Sequence, residues 1–200
     1  PAEVSDAAPP AAGSALLSGR RPESLRLLMV ERAATLRHHA GQVALPGGAA
    51  DPSDSGPVDT ALREAFEETA LDPQRVQVNQ VLAPIAIDVS GFNVVPVVGW
   101  CADPGPVHAV DPAETAAAFW VSALDLVQAD HRVQVAARRP GALVRTPGFA
   151  VAGRLVWGFT ATVLDTVVVA AGWAPPLPLA SRAEVRLDVR PSPRGAPGPT

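Results

Sequence analysis

Two hundred residues, 48% of them hydrophobic, suffice for one sizeable core, and the length favours a single domain with tails over two domains. A formal charge of −4, with the arginines scattered along the chain, lacks the concentrated basic face on which nucleic-acid binders depend, so no nucleic-acid partner is expected. All sixteen basic residues are arginine, Tyr is absent, and Ala, Pro, Val and Gly abound, a pattern of GC-rich coding bias that weakens composition as a guide to function. Cys101 is the single cysteine, which excludes an intrachain disulfide and paired-cysteine metal sites and fits a reducing cytoplasm. Residues 1 to 20 show no apolar run behind a basic start, so they do not read as a secretory leader.

The opening "PAEVSDAAPPAAGS" and the closing "RPSPRGAPGPT" are rich in Pro, Ala, Gly and Ser. They predict a flexible N-terminal tail over 1–15 and a Pro-rich C-terminal tail over 175–200, with one domain over 16–174 and order beginning near Leu16. "LRLLMVER" (Leu25–Arg32) reads as a strand, as does "QVALP" (Gln42–Pro46). Pro57 and Asp59 are helix-start signals, and the pattern turns helical from Thr60. "SGFN" (Ser90–Asn93) predicts a turn between two apolar runs paired antiparallel, the second being the strand "VVPVVGW" that ends at Trp100. "AFWV" (Ala118–Val121) is a further strand, after which Ser122 caps a helix with Asp125 three positions on. Leu155 to Ala174 is almost uncharged and about as long as the ~20 residues of a membrane helix. Its central Asp165 costs about 2.5 to 3.5 kcal/mol of insertion energy against ~0.3 to 0.6 returned by each Val or Leu, so a buried strand end plus helix is expected, and no membrane span. Interleaved strands and helices with at least one hairpin give an α/β fold class with a mixed sheet.

The helix carries an unusual concentration of acid. Glu64, Glu67 and Glu68 stand at i, i+3 and i+4 and share one face, while Ala61, Leu62, Ala65, Phe66 and Thr69 fall on an apolar arc. The carboxylates are therefore expected to point away from the core. Like charges at these spacings destabilise a helix, and Arg63 alone does not neutralise three of them, so a cation is expected. "LPGG" ends a strand just upstream with a glycine pair, where backbone can approach a ligand and offer a carbonyl, and Asp51 and Asp54 lie in the loop between. Hard oxygen donors without a Cys or His cluster favour Mg²⁺ or Mn²⁺ over zinc, and such a site suits a substrate that brings its own phosphates.

"REAFEE" (Arg63–Glu68) resembles the REUxEE core of the Nudix box, the signature of hydrolases that cut a diphosphate linked to another moiety; Ala65 occupies the U position and Leu71 closes the motif. The loop from Gly48 to Arg63 is one residue longer than in the general motif. Ala70 stands where a glycine usually follows the glutamates, and Asp54 and Ser55 lie where an early glutamate is expected. The longer loop and the alanine are similar to the coenzyme A pyrophosphatase branch. That branch carries an upstream signature LLTxRSxxxRxxxGxxxFPGG, against which "LMVERAATLRHHAGQVALPGG" (Leu28–Gly48) aligns at Arg32, Arg37, Gly41, Pro46, Gly47 and Gly48. "SGFNVVPVVG", "AETAAAFWV" and "RLVWGFTATVL" are similar to later segments of that branch, so the resemblance runs from about Leu27 to Leu164.

The resemblance implies a Nudix α/β/α sandwich in which Glu64, Glu67 and Glu68, with the Gly48 carbonyl, hold Mg²⁺ or Mn²⁺ and Arg63 orients a glutamate by a salt bridge. Glu64 is the first choice as general base and Glu114, on a loop outside the box, the second. Arg32 and Arg37 are expected to contact the substrate's diphosphate or 3′-phosphate, the alternative being an ion pair with Glu31 or an aspartate. His38 and His39 are expected to be solvated or locally bonded, and Trp157 and Phe159 to be core. The activity implied is hydrolysis of coenzyme A or acyl-CoA to 3′,5′-ADP and 4′-phosphopantetheine, by a cytoplasmic enzyme for which a homodimer is compatible. The alternatives are another nucleoside diphosphate derivative, such as ADP-ribose, a dinucleotide or an oxidised nucleotide, and a binding module with the same fold and no turnover.

Overall fold

A computed structural model of the chain describes residues 11–18, 25–87, 92–139, 142–175 and 184–187. Within it, the run after Ser24 forms strand β2 (Arg26–Arg32), and the alternation of a strand sorts its side chains onto two faces, both buried. Leu25, Leu27 and Met29 enter one apolar cluster with Val43, Val121, Phe149, Val156 and Leu164, whereas Leu28 enters another with Ala65, Leu71 and Cys101. A strand covered on both faces belongs to the middle layer of a sandwich.

That layer is an eight-stranded sheet among the described residues. Its central order is β3 (Val43–Ala44), β2, β1 (Ala11–Ser18), β7 (Phe92–Trp100) and β5 (Gln77–Val81); β4 (Gly47–Ala49) pairs with β1, β6 (Ile85–Ile87) with β7, and β8 (Thr115–Ser122) with β2. β1 runs parallel to β7 and antiparallel to β2 and β4, so the sheet is mixed, as expected. Helix α1 (Pro57–Thr69) covers one face, bringing Ala65 to Leu28 and Leu71. Helix α3 (Gly158–Ala170) covers the other through Ala161, Leu164 and Val168. A second sheet of β11 (Arg154–Trp157), β10 (Ala142–Val151), β9 (Arg132–Arg139) and β12 (Glu184–Leu187) carries α3, and the short α2 (Ala123–Val127) follows β8. The result is the α/β/α layering expected from the sequence.

Several boundaries differ from expectation. Strand β1 already occupies Ala11–Ser18, upstream of the expected Leu16, because it completes backbone bonding between β7 on one side and β4 and β2 on the other. A run of Ala, Gly and Ser carries no periodic apolar signal, yet its peptide groups pair as well as any others. β12 likewise lies inside the predicted C-terminal tail, parallel to β9. Gln42–Pro46 is not one strand: β3 and β4 are separated at Pro46, which has no N–H to continue a ladder. The antiparallel pair around Ser90–Asn93 is present as β6 and β7, with Phe92 and Asn93 already inside the strand; residues 88–91 lie outside the described residues. Ser122 does cap α2, its Oγ accepting from Leu124 N at 3.2 Å.

The apolar stretch after Leu155 resolves into the end of β11 and helix α3, as expected. No helix among the described residues is long and apolar enough to cross a membrane. Asp165 is accommodated by Arg132 Nη2 at 2.7 Å, with both side chains largely buried. Trp157 and Phe159 are half-buried and belong to neither apolar cluster, in contrast to the core placement expected of them.

Candidate metal-dependent active site

Helix α1 starts with Pro57 at its first position, where a missing N–H costs nothing, and ends at Ala70 in the left-handed conformation (φ 58°, ψ 18°), whose N–H returns to Phe66 O at 2.8 Å. Its buried side is formed by Thr60, Ala61, Ala65, Glu68 and Thr69, while Phe66 is 53% exposed. This corrects two expectations: Phe66 is not on the buried arc, and Glu68 does not point away from the core. Glu68 stands three residues after Ala65 and seven after Ala61, on the same stripe of a 3.6-residue helix; that spacing was the signal available in the sequence. Glu68 is only 7% exposed, and its Oε2 accepts from Gly47 N at 3.0 Å. Burial, with the Glu64 charge adding to it, pushes the Glu68 carboxyl up to about 7, against the opposing pull of the Gly47 N–H and Arg32.

Arg63 organises the rest. Its Nε and Nη2 fork Asp54 at 3.0 Å each, Nη2 also reaches Ala49 O at 2.9 Å, and Nη1 bridges Glu64 Oε1 at 3.0 Å and Glu67 Oε2 at 2.9 Å. One planar guanidinium therefore ties the loop after β4 to two glutamates. Asp54 is held well below the usual carboxylate range, chiefly by its bonds from Arg63. Its pairing with Arg63 was not read from the sequence, where Asp54 was a loop carboxylate near the cation site and a neighbour of a missing glutamate. Glu64 is half-buried and raised by that burial, with Arg63 opposing. Glu67 lies outermost, its side chain 55% exposed.

Gly48 faces Glu64 so closely that a Cβ there would fall 2.5 Å from Glu64 Cδ and 2.6 Å from Oε2, so a larger residue would push the Glu64 carboxylate aside. Glu114 is exposed at the start of β8, where its carbonyl accepts from Ala33 N at 2.8 Å, and its charge is felt by both Glu64 and Glu68. Arg32, the last residue of β2, lies near enough for its charge to act on Glu68; its Nε is buried without a hydrogen-bond partner, and it forms no ion pair among the described residues. The alternative of a pair with Glu31 is not what occurs, since Glu31 is taken by Arg154 at 2.7 Å. Arg37 is exposed on the loop between β2 and β3, and no bond joins it to the glutamates among the described residues. His39 Nδ1 lies 2.9 Å from Gln42 Oε1, local bonding as expected, and His38 is exposed.

The structure thus brings together Arg63, Glu64, Glu67, Glu68, Gly48, Arg32 and Glu114, and leaves Arg37 apart. Among the described residues no three His, Cys, Asp or Glu side chains are drawn into a ready metal cage, since Arg63 and the Gly47 N–H hold the glutamates. The side chains are nonetheless of the type a hard divalent cation takes: carboxylates of Glu64 and Glu68 beside Gly48 and Gly47, where burial makes their ionised forms costly without a cation.

A NUDIX domain model matches residues 8–140. The chain belongs to the Nudix family. Its Nudix relatives include an uncharacterized Nudix hydrolase, NudL, of Cronobacter sakazakii, 40% identical over 156 residues that span 78% of this chain and 80% of the relative. The NudL of Photorhabdus laumondii is 41% identical over 69% of this chain and 73% of the relative. Among solved structures, the Nudix hydrolase RenU of M. smegmatis superposes with a TM-score of 0.55 at 21% identity, covering 85% of this chain and 89% of the other, which bears on the fold. As a Nudix pyrophosphohydrolase the chain acts on a small-molecule nucleoside diphosphate derivative. Nudix hydrolases generally need a divalent ion, typically Mg²⁺ or Mn²⁺, and the oxygen donors of α1 and β4 are of the type such an ion takes.

Proposed function

We propose that this Nudix enzyme hydrolyses the diphosphate of coenzyme A or an acyl-CoA to 3′,5′-ADP and (acyl-)4′-phosphopantetheine. The observation that carries the reading is Arg32. It belongs to the upstream signature, its backbone is closed onto the same loop by Arg32 N to Gln42 O at 2.9 Å and Gly41 N to Arg32 O at 3.1 Å, its charge acts on the box glutamate Glu68, and its guanidinium keeps a buried donor unused. A guanidinium so placed can fork two phosphate oxygens. Arg37, exposed on the same loop, is assigned to the 3′-phosphate end of the substrate.

In this reading Glu64, Glu67, Glu68 and the Gly48 carbonyl hold Mg²⁺ or Mn²⁺, which when bound neutralises phosphoryl oxygens and makes a bound water acidic enough to attack near neutral pH. Arg63 keeps Glu64 and Glu67 aligned through its fork on Asp54. Glu64, raised by burial, is assigned to take the proton of the attacking water, with Glu114 second because its charge reaches the same carboxylates from an exposed position. The reading extends to a cytoplasmic enzyme, compatible with a homodimer and with no nucleic-acid partner; the single cysteine, Cys101, is buried and free. Incubation with CoA and, separately, ADP-ribose in the presence of Mg²⁺ or Mn²⁺, followed by mass analysis of the products, tests it. Release of 3′,5′-ADP from CoA supports the assignment; hydrolysis of ADP-ribose with indifference to CoA moves the substrate to another nucleoside diphosphate derivative.

A further inference from the structure

The chain that leads into β8 is anchored at two ends of the active site. His108 N donates to Thr69 O at 3.0 Å and Val110 N to Glu68 O at 3.3 Å, so this run satisfies carbonyls that the end of α1 leaves open. Thr115, which is buried, then pairs with Arg32 in the β2–β8 ladder. Residues 111–114, Asp-Pro-Ala-Glu, bridge the two anchors. They form a β-turn closed by Glu114 N donating to Asp111 O at 3.1 Å, and Thr115 N donates to the same oxygen at 2.8 Å. Asp111 adds its side chain, Oδ1 accepting from Ala113 N at 2.8 Å. Asp at the first position and Pro at the second suit such a turn, because the carboxylate bonds the backbone two residues on and the proline ring fixes φ. The Glu114 carbonyl accepts from Ala33 N at 2.8 Å, so both backbone groups of Glu114 are engaged while its side chain is exposed. An exposed glutamate on an unanchored loop would spread its charge through solvent. Here that charge adds to burial in pushing both Glu64 and Glu68 up, so it acts on the acidic side of the site.

We propose that Asp111 is a positioning residue: through the turn it closes, it holds the Glu114 carboxylate on the acidic side of the site, where its charge adds to that of the box glutamates in attracting a divalent cation. The inference rests on the reading of Glu114 as an active-site carboxylate. Its test is titration of the full chain with Mn²⁺ alone, the free ion followed by electron paramagnetic resonance. The variants are Glu114→Gln, Asp111→Ala, Asp111→Asn and the double variant Asp111→Ala/Glu114→Gln. Glu114→Gln weakens Mn²⁺ binding about fivefold and Asp111→Ala at least about threefold. Asp111→Asn keeps the side-chain acceptor without the charge and stays within about twofold of the parent. The double variant stays within about twofold of Glu114→Gln, where independent effects would multiply to about fifteenfold. A merely structural role for Asp111 does not vanish when Glu114 loses its charge. Three results overturn the proposal: Asp111→Asn as weak as Asp111→Ala, which traces the effect to the charge of Asp111 itself; single effects that multiply in the double variant; or Asp111→Ala within about twofold of the parent. If Asp111→Ala does not fold, Pro112→Gly, which frees φ at the second turn position and leaves the Asp111 carboxylate in place, takes its part in the cycle with the same expected and overturning results. If Glu114→Gln binds Mn²⁺ as the parent does, or the parent does not bind it, the active-site reading of Glu114 fails and the proposal with it. Impaired Glu114→Gln beside an unimpaired Asp111→Ala removes the proposal alone.

Discussion

Replacing Glu68 with Gln separates the two things this carboxylate does. In the metal-free fold its pKa rises from an ordinary 4.5 to about 7, principally through burial. Between those values the native chain holds a proton that the unfolded chain has released, so the stability contributed by Glu68 is fully present below about pH 4.5 and is lost as pH rises through about 7. The slope is ~1.4 kcal/mol per pH unit, on the order of 3 kcal/mol over the whole window. Gln carries no titrating proton, and its side-chain oxygen can still accept from the Gly47 N–H, so the variant folds although the position is buried. Urea unfolding of the metal-free chains at several pH values should therefore show Glu68→Gln gaining on the parent by on the order of 2 to 3 kcal/mol between pH 5 and pH 8. Saturating Mn²⁺ at pH 8 should reverse the order, because the ionised parent binds it and the variant does not. Turnover of the variant should fall about a thousandfold. A stability difference that stays flat with pH, or near-parental turnover, refutes the reading of Glu68 as a buried carboxylate held for a cation.

Gly48→Ala sets a Cβ 2.5 Å from Glu64 Cδ, and restoring ordinary contact moves that carboxylate by ~1 Å; steady-state kinetics should show a loss of about a hundredfold while the thermal midpoint changes little. Ala70→Gly removes a Cβ from a left-handed residue, relieving roughly 1–2 kcal/mol against about 0.4–1 kcal/mol of added freedom in the unfolded chain, so melting should show a net gain of about 0.5–1 kcal/mol with unchanged turnover. Asp165→Asn leaves Arg132 buried beside a neutral partner, and chemical denaturation should register a loss of ~3 kcal/mol.

Helix α1 was legible from its residues because everything that defines it is local. Pro57 and Asp59 as start signals and the helical spacing of the glutamates predict a helix from Thr60 on, and α1 lies there, beginning at Pro57 itself. The glycine pair before it was legible as a place of close approach, though only the fold shows that the Glu64 carboxylate is what lies against Gly48. β1 was not legible: its pairing with β7, β4 and β2 is a property of backbone groups, and small side chains leave no pattern to read.

The amino-acid sequence by itself determined the chemistry on offer: which oxygens and guanidiniums exist, their spacing along one helix, and hence the family and the hard-cation character of the site. Tertiary structure decided which of them are charged, buried or engaged. Glu68 turns inward because the sheet covers the helix stripe it shares with Ala61 and Ala65, while Arg63 is committed to Asp54 nine residues away and Arg154 to Glu31 at a separation of 123. Spacing along the helix marks the stripe to which Glu68 belongs, but what the fold places opposite a side chain, and hence its long-range pairing, is not carried by spacing.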